Sequence, residues 1–411
     1  MGTGDDDLAE SEDIATVVPG PDRPRGSTAV TRVLVAPDKF KGSLPATAVA
    51  AAVAVGLRRV ITDLEVVLNP VADGGDGTLE AAVDAGYERV PVRVSGPLGD
   101  PVDTAYALRE GTAVVEMADA CGLVRMPSGR LAPLHASSTG LGELVRAALD
   151  AGCARVVVGI GGSASTDGGA GMLGALGARF LDADGADLPP GGGALTRLDR
   201  VDLGGLHPGL DRAEIVLATD VDNPLLGARG AAAVYGPQKG AGAADVEVLD
   251  AALARLSQVL GTATGAGSGG HPAAALPGAG AAGGVGFAAL AVLGATARPG
   301  IELLLDLTGF HVKVPGAALV VTGEGSLDRQ TLAGKAPAGV AAAARAQGVP
   351  VVAVAGRCLL DDAELADAGI GAAYALTDLE PDPARCMTEA EPLLQQLSER
   401  VAREWLLEPD R

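Results

Sequence analysis

Lysine is scarce in this chain of 411 residues: only Lys39, Lys41, Lys239, Lys313 and Lys335 occur, and arginine carries the rest of the positive charge. Four of the five stand in strand-end or Gly-flanked loops, in Asp38-Lys39-Phe40-Lys41-Gly42-Ser43, Gly236-Pro237-Gln238-Lys239-Gly240 and Gly334-Lys335-Ala336. A compact ammonium beside free backbone amides holds phosphate oxygens as a point charge. Any one of these lysines taken alone reads as well as solvated surface; their joint placement is what points to an anion. Carboxylates occupy the complementary places: Asp38, then Asp73 and Asp76 in the 72–77 loop, Asp167, Asp220 with Asp222, and Glu324 with Asp328 in the 323–328 loop. Acids beside phosphate repel it unless they hold Mg²⁺ or take a proton from an attacking hydroxyl. The combination fits a metal–nucleotide site, although Asp73, Asp76 and Asp167 read equally well as helix caps or Asx-turns.

The segment GIGGSASTDGGAG at 159–171 follows an apolar run and precedes an Ala/Leu-rich stretch, so its hydroxyls and amides would form an anion nest at a helix start. It also satisfies G-x-G-x-x-[GA] at Gly159, Gly161 and Ala164, with Asp182 about 20 residues on, the pattern of a dinucleotide-binding loop. With 60 glycines such matches arise by chance, and residues 284–289 hold another. There is no G-x-x-x-x-G-K-[ST], no HRD or DFG tripeptide and no GxSxG elbow. Phosphoryl transfer by this chain therefore needs a scaffold other than a P-loop or a protein kinase.

The elements that must position these loops are short β-branched runs at 33–37, 65–69, 155–159, 214–218, 317–321 and 351–355, uninterrupted enough to be strands buried on both faces. Ala-rich segments at 46–59, 141–151 and 246–260 are long enough for crossover helices, which predicts an α/β class with mostly parallel sheet. In such sheets ligands gather outside the carboxyl ends of the strands, where the acids, glycines and lysines stand here. Residues 281–297 are weakly polar but carry four glycines and no aromatic flank, so they read as a buried helix rather than a bilayer span. The Gly/Ala/Pro-rich patch at 262–282 reads as a hinge, a lid or a plain linker.

Length predicts two or three domains, at roughly 100–200 residues each. With 31 Lys+Arg against 52 Asp+Glu, the formal charge of −21 and the lack of a basic run argue against nucleic acid as a partner. Four cysteines without ligand spacing predict reduced thiols, no structural zinc and a cytoplasmic protein. Residues 1–31 are acidic and Pro/Gly-punctuated, read as a disordered tail rather than a signal peptide.

At this point the chain resembles the bacterial type I glycerate kinases from about Arg32 to Trp405. The resemblance rests on APDKFKGSL at 36–44, PVADGGDGT at 70–78, GIGGSASTDGGAGML at 159–173, TDVDNPLLG at 219–227, YGPQKGA at 235–241, AAGGVG at 281–286 and VVTGEGSLDRQTLAGKAP at 320–337, in the family's order. Lys39 departs from the pattern, many relatives having Ser there, which shifts the weight to Lys41. The extension at 1–31 is also unlike the compact family start.

The resemblance implies two α/β domains with the active site in the cleft between them. One is Rossmann- or flavodoxin-like and discontinuous, transposed here to 32–74 plus 284–385; the other is a smaller-sheet α/β domain inserted at 75–283. A last helix at 387–406 would pack on the first domain, anchored by Trp405. The implied reaction is transfer of the γ-phosphoryl group of Mg·ATP to a hydroxyl of D-glycerate, the resemblance favouring 2-phosphoglycerate over 3-phosphoglycerate. Lys41, Lys239 and Lys335 would neutralise phosphate or carboxylate, with Lys335 on the cofactor. Asp73, Asp76 and Asp220 would hold Mg²⁺ or accept the proton, Asp73 and Asp220 being the metal candidates. Gly161, Gly162, Ser163, Ser165 and Thr166 would form a phosphate or carboxylate nest, counted with the cofactor, and Glu324 and Asp328 would close the site. No membrane partner is implied, and a homodimer is allowed for. The rivals are an NAD(P)-dependent hydroxy-acid dehydrogenase using the 159–164 loop and a non-catalytic nucleotide or sugar-acid binder.

Overall fold

The computed structural model describes residues 31–127, 130–332 and 334–407. The acidic tail expected at 1–31 lies, apart from Thr31, outside the described residues. Five strands, β1 (Arg32–Pro37), β2 (Glu65–Leu68), β11 (Leu319–Leu327), β12 (Val351–Cys358) and β13 (Ala372–Ala375), form one sheet in the order β13-β12-β11-β1-β2, every pair parallel. The apolar runs explain this. Val33, Val35, Leu319 and Val321 face one core while Leu34, Ala36 and Val320 face another, so both sides of each strand are covered. Helices Ala46–Val60 and Ala390–Ala402 cover the first side, and Ala336–Arg345 covers the second. Gly56 permits the close crossing of the first pair, since a Cβ there would come within 2.2 Å of the Gln395 carbonyl. Beyond this helix, the Trp405 indole N–H donates to the Tyr374 hydroxyl on β13 at 2.9 Å.

The other sheet has six strands: β3 (Glu88–Ser95), β4 (Pro101–Arg109), β5 (Thr112–Glu116), β6 (Arg155–Gly159), β9 (Glu214–Ala218) and β10 (Thr296–Arg298), in the order β10-β9-β6-β5-β4-β3. A further antiparallel pair, β7 (Arg179–Leu181) and β8 (Arg200–Asp202), stands apart. The inserted sheet is thus larger than the first, where a smaller one was expected. It is also mixed: β5, β6, β9 and β10 run parallel, but β3, β4 and β5 form an antiparallel meander. Val90, Val92 and Val94 turn inward between exposed neighbours, and Pro91 is tolerated because β3 is an edge strand. Glu110 and Gly111, both at positive φ, make the tight β4–β5 turn. A boundary at 284 would separate β10 from the sheet it extends.

Helix Gly300–Leu307 lies between the two sheets. Ile301 and Leu305 pack into the core of the five-stranded sheet, while Leu303 and Leu307 pack into that of the six-stranded sheet. Side chains four apart share a helix face, so one short apolar helix serves both layers, each buried leucine contributing about 1.5–3 kcal/mol.

Candidate active site

In the five-stranded sheet the chain winds outward from β1 and β11, with the helix after β1 on one side and the helix after β11 on the other. Ligands bind at such a switch point, beyond the strand carboxyl ends. Asp38 and Glu324 stand there, joined by the Asp38 N–H donating to the Gly323 carbonyl at 2.8 Å. The six-stranded sheet directs the carboxyl ends of β6 and β9, hence Gly161 and Asp220, at the same place.

The result is one cleft with two chambers. The larger, about 670 Å³, is walled by Asp38, Lys39, Lys41, Asp76, Glu324, Asp328 and Arg357 and rimmed by Phe40, Leu376, Pro383 and Met387. The smaller, about 380 Å³, is walled by Ser163, Thr219, Asp220, Tyr235, Gln238 and Lys239. Asp73, Gly75, Gly161, Gly162 and Lys335 line both and form the wall they share. The loops meet tightly: a Cβ on Gly161 would lie 2.5 Å from the Gly75 Cα.

Most of the residues singled out in the sequence come together here, though in different states. Lys41 has no hydrogen-bond or ion-pair partner among the described residues and is exposed to the larger chamber. Lys39 is engaged, 3.3 Å from the Asp76 carboxylate. Burial works against its charge, but Asp38, Asp76 and Asp73 outweigh it and hold the Lys39 pKa above the ordinary lysine value. Asp73 accepts from the Gly75 N–H at 3.3 Å, an Asx-turn that fixes the loop and leaves the carboxylate at the shared wall. Asp220 accepts from the Gly300 N–H at 2.8 Å, and partial burial, with Asp73 and Glu302 nearby, raises its carboxyl to about 6. Glu324 is buried and accepts a hydrogen bond from the Thr331 hydroxyl; burial pushes its pKa up. Asp328 accepts from the Gln330 N–H at 2.8 Å and opens the turn that carries Thr331.

Lys239 is the unusual cation. It is 2% exposed, and its ammonium donates to the Ser163 hydroxyl at 2.8 Å and the Ser165 carbonyl at 2.5 Å, with no carboxylate in ion-pair reach among the described residues. Burial drives its pKa down to about 7.

The nest is smaller than expected. Gly161, Gly162 and Ser163 line the cleft, but Ser165 and Thr166 are fully buried behind it, in neither chamber wall, their hydroxyls unpartnered among the described residues. Nor does the loop enter a helix directly, since the helix begins only at Ala170 and runs to Ala175. Asp167 is structural, buried and accepting from the Ser138 N–H and hydroxyl and from the Gly169 and Gly171 N–H groups. Asp182 accepts from Asp184 and Ala186 in a surface turn and is in neither chamber wall, so the dinucleotide reading lacks its acid.

Several site residues escaped the sequence reading. Asp38 was noted as a strand-end acid but given no role; burial raises its carboxyl to about 7, with Asp73 and Glu324 adding to the effect and Lys39 opposing it. Arg357, at the end of β12, donates to the Ser326 hydroxyl at 3.0 Å, and the strand-end rule applied to the 351–355 run would have found it. Glu116 accepts from the Gly77 and Leu79 N–H groups at 3.2 and 2.9 Å, anchoring the Asp73–Gly77 loop from beneath. No spacing in the sequence reveals that pairing.

Among the described residues no three carboxylate, histidine or cysteine side chains converge to cage a metal. Mg²⁺ is commonly held by one or two carboxylates together with phosphate oxygens and water. Asp73 and Asp220, hard oxygen donors in the wall of one chamber, fit that mode.

Residues 33–406 match the glycerate kinase family model. A glycerate kinase of Halalkalibacterium halodurans is 43% identical over 90% of this chain and 97% of its own length. The glycerate 2-kinase of Escherichia coli K12 is 42% identical over 84% of this chain and 90% of its own. The crystal structure of a protein from Salmonella typhimurium LT2, provisionally named glycerate kinase 2, superposes with a TM-score of 0.80 at 40% identity, covering 93% of this chain and all of that one. A two-chambered cleft with cations and acids at the ends of parallel strands, and a family match over nearly all of the described chain, lead to one assignment: this chain belongs to the glycerate kinase family.

Proposed function

We propose that the chain is an ATP-dependent glycerate kinase of the bacterial type I group that phosphorylates the 2-hydroxyl of D-glycerate. The observation that carries this reading is the convergence of Lys41, Asp73, Ser163, Lys239 and Glu324, scattered over 284 positions of sequence, on a single cleft. In the reaction the hydroxyl oxygen bonds to the γ-phosphorus, the bond to the β–γ bridging oxygen breaks, and ADP leaves. Such transfers are driven by positioning and charge neutralisation. Lys41 and Lys335 neutralise phosphate oxygens. Asp220, whose second carboxylate oxygen is free among the described residues, accepts the hydroxyl proton. Asp73 at the shared wall would hold Mg²⁺, which supplies charge neutralisation on the phosphates and leaves Asp220 to the proton. Glu324 and Asp328 set the loop that carries Lys335, and Asp76 fixes Lys39.

Two domains meeting at this cleft, with the inserted one spanning about 75–298 so as to keep β10 in its sheet, complete the proposal. Four unpaired thiols fit a reducing, cytoplasmic setting, and no helix among the described residues is long and apolar enough to cross a membrane. An ADP-release assay with a panel of hydroxy acids, followed by ³¹P NMR of the product, tests the reading. D-glycerate should give 2-phosphoglycerate. Release of ADP without a phosphorylated acid, or a 3-phosphoglycerate signal, overturns the activity or the position respectively.

A further inference from the structure

We propose that the two chambers are separate subsites, the smaller for the hydroxy acid with Lys239 and Ser163 receiving its carboxylate, and the larger for the nucleotide. The inference rests on the kinase reading above and divides the cleft that reading leaves whole. It also assigns Ser163 to the acid's carboxylate.

A buried ammonium with no counter-ion is costly unless something supplies the opposite charge. Lys239 has no carboxylate in ion-pair contact among the described residues, and Asp167 offsets its burial only from a distance. The Lys239 ammonium has three donors, of which Ser163 and Ser165 take two. It lines the smaller chamber, where Thr219, Tyr235 and Gln238 add polar groups able to meet a hydroxy acid. The apolar surface of the larger chamber comes from Pro383 and Met387, the latter 51% exposed, with Phe40 and Leu376 nearly buried behind them, and it offers that acid nothing. A purine fits against such a surface, and Lys41, Lys335 and Arg357 lie beyond it for phosphates. Asp73 at the shared wall and Asp220 in the same chamber repel a carboxylate, which leaves Lys239 to receive it. The hydroxyl then faces the wall where the chambers join and where the γ-phosphoryl group arrives.

Of the charged groups around Lys239, Asp167 partly offsets its burial without reaching ion-pair distance, and Asp73, Asp220 and Lys335 line the same chamber. Asp167 is engaged by five donors, from Ser137, Ser138, Gly169 and Gly171, the Cys121 thiol is pushed by burial to about 12 and stays neutral, and burial likewise raises the Tyr235 phenol. Lys239 therefore titrates near neutrality in the free protein, and an arriving carboxylate restores its proton.

Isothermal titration of the full chain at pH 8, in two buffers of different ionisation enthalpy, tests this with D-glycerate and with AMP-PNP plus Mg²⁺ as probes. Wild-type protein should take up roughly 0.5–1 proton on binding D-glycerate. Lys239→Met should weaken D-glycerate by at least about 30-fold, as expected for breaking a buried charge pair, and leave AMP-PNP within about 2-fold. Ser163→Ala should weaken the acid alone, by roughly 3–10-fold. D-glycerate binding without proton uptake, or AMP-PNP as the ligand that Lys239→Met loses, overturns the proposal. If Lys239→Met does not fold, the wild-type proton count and Ser163→Ala decide. Proton uptake with no phosphorylated product would instead sink the kinase reading and leave the acid subsite standing.

Discussion

Lys41 and Lys239 illustrate how differently two lysines in Gly-flanked loops are used. Lys41 is exposed and has no partner among the described residues, whereas Lys239 is buried and pre-positioned. Lys41→Ala should lower kcat on the order of 10²–10³-fold, the usual loss when one pre-organised stabilising group is removed, with the melting temperature unchanged. Near-normal turnover would remove Lys41 from phosphate binding. Asp38 carries a prediction about pH. Its carboxyl moves from 3.8 to about 7 on folding, mainly through burial, so between these values the native state holds a proton that the unfolded state has lost. Its contribution to stability is therefore greatest at low pH, falls as pH rises toward about 7, and is flat above. Asp38→Asn cannot ionise, so in magnesium-free buffer its melting temperature should gain on that of the wild type as pH goes from 5 to 8. A difference constant over that range would show that Asp38 is already solvated. These residues were legible as types and spacings. The burial that separates Lys239 from Lys41, and Ser163 from Ser165 and Thr166, was not, because a sequence does not say which side of a loop faces the cleft.

At the scale of elements, helix Gly300–Leu307 does most to register the two halves of the site. Its first N–H binds Asp220, its two faces enter two cores, and its glycine touches the other loop: a Cβ at Gly300 would lie 2.0 Å from the Asp73 carbonyl. Gly300→Ala should therefore force Asp73 and Asp220 apart, costing about 1–3 kcal/mol as overpacking does, and lower kcat/KM by more than about 10-fold. Thermal melts with steady-state kinetics check both effects, and an unperturbed variant would show slack between the loops. The parallel strands β1, β6, β9, β11 and β12 were readable as uninterrupted apolar runs, because burial on both faces demands that composition. The β3–β4–β5 meander was missed although its alternation at Val90, Val92 and Val94 and its Glu110-Gly111 turn were present; Arg89, Pro91 and Arg93 between the valines mask a half-exposed edge strand.

For the whole molecule, the cleft opens between two layers that share one short helix, and water must leave it before transfer if ATP is not to be hydrolysed. Joint binding of AMP-PNP with Mg²⁺ and D-glycerate should reduce the radius of gyration in small-angle scattering, while either ligand alone should do less. An unchanged curve would mean that the cleft is already closed. The sequence by itself determined the chemistry: few cations, glycine-bordered acids and the apolar runs that set them at strand ends, since residue type fixes charge and burial preference. Only the tertiary structure decided which of them face one another, that the cleft has two chambers, and that Lys239 stands buried with no carboxylate in ion-pair contact among the described residues. Those facts depend on contacts between segments far apart in the chain, such as Gly300 with Asp73 and Lys239 with Ser163, and packing between distant segments leaves no local pattern to read.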